Sequence, residues 1–190
     1  MFQMLVLCQA NVCRSPFAQT LLANALSGDP GVRIASAGVQ TRPGYELCQV
    51  AGRLLGTAAP AEHLSRPVSE ELVMGSDLIL TMEPEHSAMV SALCPSARHR
   101  TYTLVEASAL AVEARARGML SDPQWVRQLP EVLNDLRGLV PVPELQNPRG
   151  RWRGRLGPGR IADGHGLGYT AHERVLRQVE QHAKDLAGQS

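Results

Sequence analysis

The chain has 190 residues, enough for one core and few for two domains. Hydrophobic residues make up 44% and charged residues 19%, and 19 basic side chains against 18 acidic ones leave a formal charge of +1. That balance excludes a polyelectrolyte tail and gives no global attraction to nucleic acid or to an anionic membrane. The longest apolar run falls far short of the ~20 residues a bilayer span needs, and Met1-Phe2-Gln3-Met4 puts no basic region ahead of an apolar one. The expectation is one soluble, cytoplasmic domain over residues 1–190. Four cysteines are too few for a disulfide scaffold, so in a reducing compartment each is core filler, metal ligand or nucleophile.

Phe2 to Leu7 is apolar without alternation, as in a strand buried on both faces of a parallel sheet, and it ends at Cys8. Ser15-Pro16 reads as a helix start, with serine at the N-cap, proline in the first turn, and Phe17, Leu21, Leu22 and Ala25 as the apolar face. Gly28-Asp29-Pro30-Gly31 stops that helix. Val32 to Ala35 is a second strand ending at Ser36-Ala37-Gly38, and Glu46 to Leu55 a helix ending at Gly56. Val68 to Met74 predicts a short helix, Asp77 to Thr81 a third strand, Pro84 to Leu93 a helix opened by proline, and Tyr102 to Leu104 a weaker fourth strand. Residues 105–138 are mostly helical in pattern, 139–160 are rich in Pro, Gly and Arg, and Ala171 to Leu186 has the period of a closing amphipathic helix. Strands alternating with helices imply an α/β fold: a single-domain, four-stranded parallel sheet with helices on both faces. Ligands of such sheets bind at the carboxyl ends of the strands, where strand order reverses. Cys8 stands at such an end.

The segment Cys8-Gln9-Ala10-Asn11-Val12-Cys13-Arg14-Ser15 joins a buried strand to a helix N-terminus and has the form C-x5-R-S. With four cysteines and 18 arginines, chance supplies about 0.4 C-x5-R matches, so the weight rests on the serine that follows and on the strand-to-helix setting. A loop folded there points successive backbone N–H groups inward and, with the helix dipole, cradles a dianion such as phosphate. The same field stabilises a thiolate, whose free pKa of about 8.5 falls beside a guanidinium at a helix start, and this makes Cys8 a candidate nucleophile. Arg14 can hold two phosphoryl oxygens with its planar fork, and Ser15 can donate to the Cys8 sulfur and ease its departure. The opposing reading is core packing for Cys8 and a surface role for Arg14. Zinc is a second rival, because Cys8 and Cys13 have a permissible ligand spacing. Cys48 and Cys94 are isolated along the chain, however, and no histidine pair stands nearby at ligand spacing.

With these residues in view, the chain resembles the low-molecular-weight protein tyrosine phosphatases. The resemblance runs from Leu5 through Leu104 and again from about Ile161 onward, with an unmatched insert at about 106–160 between. It is strongest in the loop C-x-x-N-V-C-R-S-P at Cys8 to Pro16. Ser36-Ala37-Gly38, the H-x-x-R element at His63 to Arg66, and Asp77 to Glu83 add to it. The resemblance implies a left-handed Asn11 braced by Ser15, Ser36 and His63, with His63 in a structural role behind the loop. It also implies a reversible disulfide between Cys8 and Cys13 that shields the nucleophile.

Transfer from an aryl ester needs an acid for the leaving oxygen, and the resemblance points to Asp163 in Ile161-Ala162-Asp163-Gly164-His165-Gly166. Asp-Gly is also a common turn, and Asp122-Pro123 is the rival acid, although Asp122 reads as a helix N-cap. Three departures from the family pattern bear on activity. Ala10 stands in place of a glycine, Gly164 and His165 in place of proline and an aromatic, and the segment Val39 to Gly44 lacks its customary aromatic, with Arg42 nearby. Trp152, Tyr45 or Trp125 is a substitute wall for an aryl group. Arg149, Arg151, Arg153, Arg155 and Arg160 make the insert either a solvated loop or a basic lip that steers an anionic partner.

The resulting expectation is a bacterial, cytoplasmic phosphatase that works through a cysteinyl-phosphate with no cofactor and no metal. Cys8, Arg14 and Asp163 are its catalytic residues, and Gln9, Ala10, Asn11, Val12, Cys13 and Ser15 form its phosphate-binding loop. The partner is a phosphotyrosine-bearing protein or another aryl phosphate, with neither nucleic acid nor membrane, and the assembly is left open between a monomer and a weak homodimer. The alternatives are a catalytically impaired phosphate- or phosphoprotein-binding module on the same fold, and an arsenate reductase. The thiol-relay reductase needs two closely spaced downstream cysteines, whereas Cys48 and Cys94 are 46 residues apart. Arginine phosphatases of the family tend to carry threonine where Val12 stands.

Overall fold

The computed structural model describes residues 1–149 and 154–189. Four strands, β1 (Phe2–Cys8), β2 (Val32–Gly38), β3 (Leu78–Thr81) and β4 (Thr101–Thr103), pair in parallel in the order β2-β1-β3-β4. The register aligns Cys8 with Gly38 on one side of β1 and Leu7 with Thr81 on the other. The unbroken apolar run of β1 is explained by what covers it. Phe2, Met4, Val6 and Cys8 face one hydrophobic cluster, while Leu5 and Leu7 face a second.

Helices α1 (Arg14–Ala25), α2 (Gln49–Leu55), α5 (Leu104–Ala116), α6 (Trp125–Leu136) and α7 (Tyr169–Ala187) supply the first cluster through residues such as Phe17, Leu55, Leu110, Leu133 and Val175. Helices α3 (Glu70–Met74) and α4 (Pro84–Leu93) supply the second through Val73 and Val90. This is the α/β architecture read from the sequence, with helices on both faces of a parallel sheet. Because β2 and β3 lie on opposite sides of β1, the chain reverses its winding there. The loops that follow β1 and β3 therefore part at a switch point beside Cys8, the place at which such sheets bind ligands.

Several boundaries differ from the sequence reading. Helix α1 begins at Arg14 with Cys13 at the cap and no side-chain cap bond. Ser15 is therefore inside the first turn, and its hydroxyl is turned back toward Cys8 and Asn11. Helix α2 starts three residues later than expected, because Glu46 is bridged to Leu64 and Cys48 takes the cap, its sulfur accepting from the Ala51 amide at 3.4 Å. Asp122 is not the N-cap of α6. Gln124 is, and Asp122 holds the preceding turn by accepting from the Gln124 amide at 2.6 Å.

Residues 106–160 are also not one solvated loop. Helix α5, started by a reciprocal capping box of Thr103 and Glu106, is a core helix that buries Leu104, Val105, Ala107, Leu110, Ala111 and Ala114. Between α6 and α7, among the described residues, Gln146 bridges Arg155 and the Ile161 amide on the Met82 carbonyl at 2.9 Å returns the chain to the sheet. Arg151, Trp152 and Arg153 lie outside the described residues.

Leu80 is fully buried at the centre of β3. Leu80→Ala is predicted to lower unfolding stability by about 2–5 kcal/mol, the usual range for such truncations, as read from the midpoint of a urea transition.

Candidate active site

Cys8 ends β1 with 2% of its surface exposed, and its Sγ lies 3.1 Å from Ser15 Oγ. The chain then turns sharply through Asn11, which has φ +54° and is the one non-glycine residue with positive φ among the described residues. The side chain of Asn11 explains how that conformation is held. Its Nδ2 donates to Ser15 Oγ at 3.1 Å and to Ser36 Oγ at 2.8 Å, while its Oδ1 accepts from the Arg66 amide at 3.0 Å. His63 Nε2 meets the Asn11 carbonyl at 2.8 Å. One buried amide thus ties the loop to β2 and to residues 63–66. Ala10 needs no unusual dihedral, because the positive φ falls on its neighbour.

The loop is closed from outside by β2 and the segment after it. The Val39 and Gln40 amides donate to the Cys8 and Gln9 carbonyls at 2.9 Å each, and the Cys48 amide donates to the Val12 carbonyl at 2.8 Å. Gly38 permits this approach: a Cβ there would sit 2.9 Å from the Gln9 carbonyl oxygen. Gln9 is oriented by its side-chain bond to Gln40 and by His86 Nε2, 3.3 Å from its Oε1. With the carbonyls of Cys8, Gln9, Asn11 and Val12 taken from outside the loop, the amides of residues 10–15 find no acceptor among the described residues. A ring of free N–H groups at a helix start is an oxyanion cradle.

Arg14 is 2% exposed. Its Nη1 donates to Glu83 Oε1 at 2.7 Å and to the Ile161 carbonyl at 2.8 Å, and its Nη2 lies 3.0 Å from Asp163 Oδ2. Burial pulls its pKa down, but the Cys8 sulfur, Asp163 and Glu83 outweigh that and push it up. Nη1 is committed to Glu83 and Ile161 and Nη2 to Asp163, so a phosphoryl group that takes the Nε–Nη2 edge displaces the Asp163 carboxylate from Nη2. Glu83 also takes Arg160 Nη1 at 2.5 Å, and Arg160 reaches on to Glu85. Arg160, the last arginine of the basic segment, is therefore part of the wall behind Arg14.

Asp163 is half exposed beside Arg14, its second oxygen accepting from the His165 amide at 2.8 Å. The rival Asp122 is occupied with the turn before α6. Of the candidate aryl walls, Trp125 carries Arg115 4.7 Å over its ring, and Tyr45 is about half exposed on the segment that closes the loop.

Cys13 is hydrogen-bonded away from the nucleophile. Its Sγ lies 2.9 Å from Cys48 Sγ and 2.8 Å from His172 Nε2. The two thiols share a hydrogen bond that pulls Cys48 down to about 6 and, with burial, pushes Cys13 well up. Cys48, isolated along the chain, is thus not isolated in space, and the histidines absent from the sequence neighbourhood of Cys13 arrive from α7 and the Asp163 loop. All four cysteines are free thiols.

A strand-loop-helix cradle with a cysteine at its base and a buried arginine at its lip is the architecture of a phosphate-loop protein. The family model for low molecular weight phosphotyrosine protein phosphatase matches residues 3–128, and the chain belongs to that family. It is 36% identical over 99 residues to the low molecular weight protein-tyrosine-phosphatase Etp of Escherichia coli, an alignment covering 51% of this chain and 65% of Etp. It is 34% identical over 104 residues to a protein-arginine-phosphatase of Geobacillus stearothermophilus, covering 54% and 69%. The chain therefore spans just under two-thirds of the length of Etp. The fold likeness is longer: the tyrosine phosphatase Wzb of Escherichia coli K30, in complex with phosphate, matches 99% of this chain and 98% of its own, with a TM-score of 0.63 and 23% identity. The family match runs through α5 and into α6, past the point at which the resemblance by motif stopped.

Sequence reasoning missed Glu83, Cys48 and His172. Glu83 closes the third-strand motif, so its place just beyond a strand end at the switch point was the available signal. Glu83→Gln is predicted to cost about 1–3 kcal/mol in a urea titration, because it removes the charge that matches a buried guanidinium. Arg160→Ala, at a more exposed pair, is predicted to cost less than about 1 kcal/mol in the same measurement.

Proposed function

We propose that this protein is a phosphatase that hydrolyses aryl phosphate monoesters, phosphotyrosine in proteins among them, through a cysteinyl-phosphate. The observation that carries the reading is the 3.0 Å contact between Arg14 Nη2 and Asp163 Oδ2, which joins a clamp at residue 14 to an acid 149 residues away, above the Cys8 loop. In this mechanism the phosphoryl group is held by the loop amides of residues 10–15 and by Arg14. The Cys8 thiolate attacks phosphorus in line as the phosphoryl group takes Nη2 from Asp163, and the Asp163 carboxyl, released from that ion pair and protonated from solvent, gives its proton to the departing phenolic oxygen. Asp163 then takes a proton from water as that water attacks the cysteinyl-phosphate, and the sulfur leaves as a thiolate stabilised by Ser15, 3.1 Å away. No step requires a metal or cofactor.

The aryl preference rests on Tyr45 at the loop edge and on Val12, while the relatives that are named arginine phosphatases make phosphoarginine the competitor to measure. A phosphotyrosine-bearing protein is the proposed partner. Four free thiols suit the reducing cytoplasm of a bacterium, and among the described residues no helix is long and apolar enough to cross a membrane.

Turnover of para-nitrophenyl phosphate at mildly acidic pH tests the assignment. Cys8→Ser is predicted to abolish it, Asp163→Ala to lower kcat by about 10²–10⁴-fold, and Asp122→Ala to leave it unchanged. Wild-type protein that binds inorganic phosphate without turnover would establish the binding-module reading instead.

A further inference from the structure

Outside the proposed catalytic set, one cluster brings together four side chains from four separate segments. Cys13 stands at the cap of α1, Cys48 at the cap of α2, His165 in the Asp163 loop and His172 in the first turns of α7. Their ligand-capable atoms all lie within 4.8 Å of one another. Cys13 Sγ is 2.9 Å from Cys48 Sγ and 2.8 Å from His172 Nε2, Cys48 Sγ is 3.9 Å from His172 Nε2, and the two imidazoles are 5.1 Å apart by centroid. Zinc arms of about 2.3 Å to sulfur and 2.0–2.1 Å to nitrogen give a tetrahedron with edges of roughly 3.3–3.8 Å, inside the span of these contacts. Two thiolates and two imidazoles are the soft, four-coordinate set that selects zinc among the common divalent ions.

We propose that Cys13, Cys48, His165 and His172 form a structural zinc site that pins the Asp163 loop and α7 to the phosphate loop. Three further observations fit a built site. The Ala51 amide donates to Cys48 Sγ at 3.4 Å, a supporting contact typical of a ligating thiolate. Cys13 and His172 are buried and Cys48 partly so, while His165 is exposed, which leaves one side for entry. A Cβ at Gly164 would lie 2.6 Å from His172 Cδ2, so the glycine is what lets His172 reach the sulfurs. The departures from the family's Pro-aromatic pattern, Gly164 and His165, thus both belong to this cluster. Binding exchanges the two thiol protons, released to solvent, for Zn²⁺, and the resulting centre carries no net charge. It would not compete with the loop for a dianion. Its effect on the reaction is positional, because the His165 amide holds Asp163 at 2.8 Å.

The test uses the full-length reduced protein, stripped of metal and titrated with Co²⁺ and then Zn²⁺ against a chromophoric chelator. One equivalent of Co²⁺ with thiolate-to-cobalt charge transfer and tetrahedral d–d bands is expected, displaced by Zn²⁺. Cys48→Ser and His172→Ala are expected to weaken zinc by more than the 10–100-fold that loss of a supporting group costs. Cys8→Ser, inactive under the proposed mechanism, should still bind one equivalent, which separates this site from the nucleophile and from the phosphatase reading. Zinc should also slow hydrogen exchange at residues 161–168 and raise the Tm of wild type and of Cys8→Ser, but not of Cys48→Ser. Octahedral cobalt spectra, uptake below one equivalent, uptake lost with Cys8→Ser alone, or a Cys13–Cys48 disulfide that forms in preference to metal binding under reducing buffer would each overturn the proposal.

Discussion

A guanidinium taken almost wholly out of water has to be matched by negative charge, and Arg14 organises this molecule around that need. Desolvating an ion costs several kcal/mol unless partners repay it. Here they come from every direction: Glu83 beyond β3, the Ile161 carbonyl, the Asp163 carboxylate and the sulfur of Cys8. None of these groups is near Arg14 in sequence except Cys8. Their convergence explains why the chain after α6 has to travel back across the sheet to return Ile161 and Asp163 to the end of β1.

The parallel sheet makes that convergence possible. With order β2-β1-β3-β4, the loops after β1 and β3 part at the switch point, and Arg14 and Glu83 face each other across it. The turn of the loop is held by hydrogen bonds: Asn11 in its left-handed conformation gives Nδ2 to Ser15 and Ser36 and takes the Arg66 amide on Oδ1. A polar network of this kind is sensitive to the loss of any one member, because the remaining groups stay buried and unmatched.

Much of this was legible in the residues. The apolar run of β1 reads as a strand because it is covered on both faces, and C-x5-R-S reads as a phosphate loop because the chemistry needs a sulfur, a ring of amides and a guanidinium at that spacing. Helix starts were less legible. Ser15 has the right type for an N-cap, but its hydroxyl is claimed by Cys8 and Asn11. Asp122 likewise serves the turn before α6 rather than its cap. Residues whose roles depend on tertiary approach left almost no local trace. Cys48 looks solitary until α2 is laid against the loop, and His172 looks like any residue of an amphipathic helix until Gly164 lets it in.

That glycine has a consequence for how this protein can be compared and recombined with its relatives. The 2.6 Å approach leaves no room for a side chain at 164 while an imidazole occupies 172. The two positions are sterically exclusive in the way a large–small pair in a core is, so a chimera that imports the customary acid loop must also shrink or redirect position 172. Exchanging only the loop would set its side chain at 164 against the His172 ring.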